Sequence, residues 1–289
     1  MKQNLLQTIT TRVKNKFPEL FKYINKIDSD DCTGLASEMA FQLTFTLFPV
    51  LLAFVSFLSL LQTPGAINLL IDMAGKVIPP EVFLPFDTII EKLVTTRQRG
   101  IFTFSLIIAI VSSTAIFSTI IKAMERIWMP EKKWNFIRRI FTSYLLMFVV
   151  GLALILIFNL LFYGHTFELF IIKKYRLWKF IKYMEHFKFP LAFLIVVITV
   201  LLIYKIATPL KLKFSGHLPG ALFYGLAWIA LSVTFRHYIR YSSPDPTISR
   251  AYEILARTII ILAWMYANSL LFILGAELNH YLLRKKLQT

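Results

Sequence analysis

TIIILAWMYANSLLFILGA, residues Thr258 to Ala276, is the stretch that decides the fold: 19 residues without a formal charge. At about 1.5 Å of rise per residue a helix of that length spans roughly 28 Å, close to the hydrocarbon thickness of a bilayer. Glu277, Leu278, Asn279 and His280 follow at once, and then the basic tail Arg284, Lys285 and Lys286. An acidic residue therefore stands where lipid gives way to water, and a basic cluster marks a cytoplasmic end.

The rest of the chain has the same character. Hydrophobic residues make up 57% of the 289 and charged ones 17%, against about 25% charged in an ordinary soluble domain. Several further charge-poor runs reach membrane length, so the sequence predicts an all-α, polytopic membrane protein with six transmembrane helices and amphipathic interfacial helices. The 27 Phe, 12 Tyr and 5 Trp suit lipid-facing surfaces and interfacial belts. A net charge of +16 would suggest nucleic acid in a soluble chain. Here the Lys and Arg lie between the apolar runs, where they set orientation and meet anionic headgroups; membrane lipids, not nucleic acid, are the expected partner. Cys32 is the single cysteine, which excludes an intrachain disulfide and a Cys-rich metal site. Residues 1–33 lack a long apolar run with a small-residue cleavage site, so no removable signal peptide is expected.

Three regions follow: a cytoplasmic amphipathic segment over 1–33, a transmembrane domain over 34–283, and a basic cytoplasmic tail over 284–289. The expected spans are 35–61, 101–121, 140–163, 189–204, 218–235 and 254–278. Leu5, Leu6, Ile9, Val13, Leu20, Phe21 and Ile24 alternate with lysines at near-helical spacing. That segment either lies on the membrane surface or packs on the ends of the bundle, and Pro18 is expected to break or kink it. Pro49 stands inside the first span and marks a kink buried among neighbours. Residues 66–100, divided by Pro79 and Pro80, read as two short amphipathic helices, with a re-entrant pair as the alternative. With both termini inside, Lys and Arg number 18 on the cytoplasmic side and 14 outside, a bias in the expected direction. The outer cluster Lys173, Lys174, Arg176, Lys179 and Lys182, interleaved with Trp178 and Tyr183, is a candidate contact for anionic lipid; a solvated basic face is the plainer reading.

No Walker A pattern, His-Glu-x-x-His or Gly-x-Ser-x-Gly appears, so no cofactor, metal site or catalytic residue is expected. The candidates are polar groups within or at the edge of spans, where they are costly. Glu38 and Gln42 lie one turn apart in span one. Ser113 stands among the hydroxyls of span two, which suit close packing or a polar path. Asn268 is expected to bridge helices. Glu277 and Asn279 end span six. If spans one and six are neighbours, Glu38 and Glu277 face one vestibule; otherwise each pairs with a local base such as Arg126, Arg138 or Lys213. Glu125 and Arg126, with Trp128 and Trp134, belong to a structured elbow running to Arg138 and Arg139. Gly216-x-x-x-Gly220, with Pro219 opening span five, would let that helix approach a neighbour closely.

Four stretches carry a resemblance: Asp31 with Ala36–Phe41 and Leu47–Pro49; Ser112 and Ser113 through Met124–Trp128 to Arg139; Leu218–Ala221 with Trp228 and Phe235; and Leu262–Tyr266 through Leu274-Gly275-Ala276-Glu277-Leu278-Asn279. On these the chain resembles the YihY/BrkB inner-membrane protein family, once labelled ribonuclease BN. It departs at Glu38, where members usually carry a small residue, and at Tyr252-Glu253-Ile254-Leu255, which lacks the usual glycine. The resemblance implies a six-span bacterial inner-membrane protein with envelope or virulence associations. The leading expectation for function is a transporter or flippase-like protein for an amphipathic or anionic envelope molecule such as a lipid. A non-transporting scaffold or assembly factor is the alternative, and a membrane-tethered nuclease the third. Oligomeric state is not legible.

Overall fold

A computed structural model describes residues 18–60, 99–129, 134–175, 178–241 and 250–288. The amphipathic run before Pro18, residues 66–98 of the expected 66–100 loop and Arg176 lie outside the described residues, as do the side chains of Lys173, Lys174, Lys179 and Lys182, while 99–100 open α3.

Seven helices make up the described chain: α1 (Pro18–Ser29), α2 (Cys32–Leu60), α3 (Arg99–Trp128), α4 (Phe136–Tyr175), α5 (Trp178–Ala207), α6 (Leu218–Tyr241) and α7 (Arg250–Gln288). No strand occurs among the described residues. Five helices are long and apolar enough to cross a membrane, over Phe102–Trp128, Phe136–Ile157, Pro190–Ala207, Leu218–Tyr238 and Thr258–Lys286. These match the last five expected spans. The first expected span falls on α2, 29 residues long with Pro49 inside it.

The six long helices close into a ring. Each packs on its neighbours in chain order, and α7 returns to pack on α2; α3 also reaches across to α5 and α7. Pro49 is buried within the ring, as its place in an apolar helix predicts. The larger core cluster collects toward one end, joining Cys32, Ala36 and Met39 of α2 to Ile121, Met124 and Ile127 of α3, Tyr204 and Ala207 of α5, and Ile273 and Ala276 of α7. Around the outside, Phe104, Val111, Phe141, Phe148, Leu226 and Val233 are exposed, the reverse of a soluble fold and the surface a lipid solvent requires.

Pro18 is the first described residue and the first of α1, a position that suits its fixed φ and missing N–H. Of the two arrangements expected for this segment, α1 takes the one packed on the bundle. It packs on α2 and α7, and the Tyr23 hydroxyl donates to the Leu274 carbonyl at 3.0 Å. Asp31 makes the corner into α2. Its backbone is left-handed (φ 52°), and its carboxylate caps α2 by accepting the Gly34 N–H at 3.2 Å.

Candidate functional site: the polar end of the ring

One end of the ring gathers most of the polar candidates. There α2, α6 begin and α3, α7 end, with α1 laid across them. Its centre is a buried charge cluster. The Lys26 ammonium bonds the Asp30 carboxylate one turn along and lies 3.6 Å from Glu277 Oε2; it also reaches the Ile127 carbonyl at 3.5 Å. The Cys32 thiol donates to Glu277 Oε1 at 3.7 Å. Asp30 and Glu277 are 1% and 0% exposed, so two carboxylates share one ammonium away from water. Tyr23 sits beside them, edge-on to Tyr281 at 5.6 Å. Burial, and then the nearby Glu277 carboxylate, push its phenol above the usual range, which keeps it a donor.

Asn279, two residues beyond Glu277, ties two helices. Its Oδ1 accepts the Gly220 N–H at 2.6 Å, satisfying a donor in the first turn of α6. The backbones are nearly in contact there: a Cβ on Gly220 would stand 2.0 Å from the Gly275 carbonyl, and one on Gly275 would stand 2.8 Å from the Gly220 carbonyl. The close approach therefore pairs Gly220 with Gly275. Gly216 lies in a 3₁₀ turn before α6 and meets only Leu283, at an ordinary 3.6 Å. Pro219 is the second residue of α6.

Beside this crossing His217 is fully buried, and neither ring nitrogen has a hydrogen-bond partner among the described residues. Trp128 stands edge-on to both His217 (5.9 Å) and His280 (5.1 Å). Burial, helped by the Lys205 charge, lowers the His217 pKa to about 4, so the ring is neutral at ordinary pH.

The expected elbow is present and Glu125 is its pin. Buried on α3, its carboxylate accepts the Trp134 N–H and the Arg139 guanidinium, both at 2.8 Å, clamping α3 to the start of α4. Arg138 lies over the Trp134 ring at 4.4 Å. A charge-assisted, doubly engaged carboxylate is the strong kind of tie.

A second, open group runs along the α2–α3 seam. Glu38 Oε1 accepts from the Lys122 ammonium (3.2 Å) and the Thr119 hydroxyl (3.0 Å), which also lies 3.1 Å from Gln42 Oε1. Nearer the end of the ring Arg126 pairs with Asp31 at 3.3 Å. Glu38 and Glu277 consequently do not share a vestibule, although their helices are neighbours: Glu38 turns to α3, Glu277 to α1 and the start of α2. Their bases are Lys122 and Lys26, not Arg126, Arg138 or Lys213. Asn268 donates to the Trp264 carbonyl of its own helix at 2.7 Å rather than across to another. The hydroxyls of α3 mostly do likewise: Ser112 bonds the Ile108 carbonyl and Thr114 that of Ile110, while Ser113 stands half-buried beside them.

Sequence reasoning missed Lys26, Asp30 and Cys32, whose partner is some 250 residues away, and Tyr204, whose hydroxyl donates to the Phe272 carbonyl at 2.6 Å inside the core. Tyr204 also crowds Gly275, where a Cβ would meet its hydroxyl at 2.5 Å.

The family model described as Virulence factor BrkB matches residues 23–289. A relative from Bacillus subtilis (strain 168), named ribonuclease-like protein YfkH, is 26% identical over 263 residues, covering 87% of this chain and 90% of its own length. No solved structure matches the chain. With a match over nearly its whole length, the chain belongs to the BrkB family of multi-pass membrane proteins.

Proposed function

We propose that this chain is a bacterial inner-membrane transporter of the flippase type, moving an amphipathic or anionic envelope molecule such as a lipid. In this reading α2 is a sixth crossing, both termini are cytoplasmic, 1–33 is a cytoplasmic segment ending in the docked α1, 34–283 is the membrane domain, and 284–289 is a basic tail. The observation that carries it is the Lys26–Asp30–Glu277 cluster. Burying a lysine and two carboxyl groups costs several kcal/mol for each that stays ionised, and well-packed apolar residues would serve stability as well or better. In a membrane protein such groups mark pathways and relays. Apolar helices in a closed ring supply the surrounding wall.

Reconstitution tests this directly. Wild-type protein in vesicles moves a fluorescent phospholipid between leaflets; Glu277→Gln and Lys26→Met, checked for folding, slow that movement at least tenfold. Vesicles in which no lipid or anion moves above the protein-free rate would sink the reading.

A scaffold or assembly role is the second reading. Glu125 and Asn279 favour it, since both are engaged in holding helices together. It requires a partner that co-purifies in fixed proportion. The ribonuclease-like name belongs to the relative. Among the described residues no group of three His, Cys, Asp or Glu stands where it could hold a metal ion, and we assign this chain no catalytic residue. Cleavage of RNA by rigorously pure protein, lost in one point variant, would reverse that assignment.

A further inference from the structure

The α2–α3 seam has a composition that neither a lipid-facing wall nor a packed interface needs. Glu38 and Lys122 form an ion pair whose side chains are 41% and 48% exposed. They lie within helices whose neighbouring surface is strongly apolar: Phe41 and Phe45 on α2 stack at 6.4 Å, and Val111 on α3 is equally open. Both contacts of the carboxylate fall on Oε1. Its Oε2 and two of the three ammonium protons therefore meet no protein partner among the described residues. One turn deeper, about 6 Å along the axis, Gln42 and Thr119 continue the polar line.

An open pair of opposite charges in such a setting is a dipole needing a complementary dipole. Water is scarce at lipid depth, and a charge there recruits whatever polar group can reach it. We infer that the α2–α3 seam is a binding site for a zwitterionic phospholipid headgroup bearing a primary amine. The phosphate lies on Lys122 and the ammonium on Glu38, while the acyl chains stay in the bilayer against Phe41, Phe45 and Val111. This deepens the transport reading and rests on it for the placement of α2 in the membrane. It names a substrate class, an amine-bearing zwitterion, and a place where its headgroup enters the polar line toward Gln42.

The class follows from the charges. A lone lysine would favour anionic lipids. A lysine beside a partly unused carboxylate penalises a second negative charge and rewards an ammonium, which can donate to Oε2. A quaternary ammonium has no N–H to donate.

The test is an equilibrium one. Full-length protein in phosphatidylcholine bilayers is probed with chain-spin-labelled phosphatidylethanolamine and phosphatidylglycerol, and the ratio of their association constants is read from the motionally restricted spectrum. Glu38→Gln lowers that ratio about fivefold, the scale of one exposed charge pair, because the phosphate grip survives and the amine grip does not. Glu38→Asp keeps the ratio. A ratio unchanged in Glu38→Gln overturns the assignment. If that variant does not fold, Lys122→Met decides: weaker association of both labels supports the site, and unaltered association overturns it. Leaflet-to-leaflet movement is scored separately. Selective association without movement leaves the seam a lipid site and removes the transport reading; movement with an unaltered ratio does the reverse.

Discussion

Gly220→Ala puts the tightest crossing of the ring to a quantitative test. The added methyl would stand 2.0 Å from the Gly275 carbonyl and 2.4 Å from Asn279 Nδ2, and backbone on α7 cannot swing aside as a side-chain tip can. The helices must separate. Overpacking of this kind costs about 1–3 kcal/mol. Separation also breaks the bond from the Gly220 N–H to Asn279 Oδ1, leaving two buried polar groups unmatched for about another 1–3 kcal/mol. Alanine returns up to about 1 kcal/mol through its better helix propensity. The net is a loss of about 2–4 kcal/mol, a fall in melting temperature on the order of 10 °C for a chain of this size. The assay is built into the protein. Cys32 is the single cysteine and is wholly buried, so a thiol-reactive dye fluoresces only as the structure opens. Gly216→Ala, whose methyl meets only Leu283 at 3.6 Å, is the matched control and should melt within about 2 °C of wild type. Equal melting of Gly220→Ala and wild type would refute the reasoning, as would an equal loss in the control.

Other outcomes follow from the same contacts. Glu125→Ala strands the Arg139 guanidinium inside the elbow and should cost about 3–5 kcal/mol, read in the same dye melt; Glu125→Gln, which keeps one acceptor, should cost less. Lys26→Met leaves Asp30 and Glu277 facing each other without their cation, and it should both destabilise the protein and speed dye attack on Cys32 at least tenfold at 25 °C; adding Glu277→Gln should recover a large part of the loss, whereas additive losses would show that the pair is not coupled. His217 gives a pH dependence with a definite sign. In the unfolded chain it takes a proton near pH 6.5, in the folded chain only near 4, so between these values the unfolded state binds more protons and stability falls as pH drops through the window, by about 3 kcal/mol in full. His217→Phe should flatten that part of the profile, and an unchanged slope would place the titration elsewhere.

Some of this architecture could be read from residues alone and some could not. The crossings were legible because lipid imposes a crude rule, length without charge, and α7 obeys it for 19 residues. Glu125 and its elbow were legible because the charged and aromatic groups involved lie within 15 residues of one another. Asn279 is marked by polarity at the end of an apolar run, and Gly220 by its spacing from Gly216 beside Pro219; what the spacing does not show is the partner, which is Gly275 of α7, while Gly216 meets only Leu283. Pairing across distance was the general blind spot. Sequence offers Glu38 a base such as Arg126, Arg138 or Lys213, yet helix rotation presents it to Lys122 and Thr119. Asn268 was expected to reach outward, yet the carbonyl one turn back is always in range and won. Lys26 and Asp30 were hidden in a segment that reads as an ordinary amphipathic helix, because nothing local announces that its lysine will be taken inside. Cys32 shows a practical cost of that blindness: a thiol beneath α1 resists reagents from either side of a membrane, so its silence reports burial rather than topology.

The bond from Tyr23 to Leu274 joins residues 251 positions apart. A ribosome delivers Tyr23 well before Leu274, so α1 has no complete seat until α7 has been made. The same is true of α2, which must wait for α7 before the ring can close. Lys26 and Asp30 pair within α1, but they can meet Glu277 only after α7 has been made. The docked α1 is thus a seal on the ring: its seating records that α7 has been made and brought back to α2.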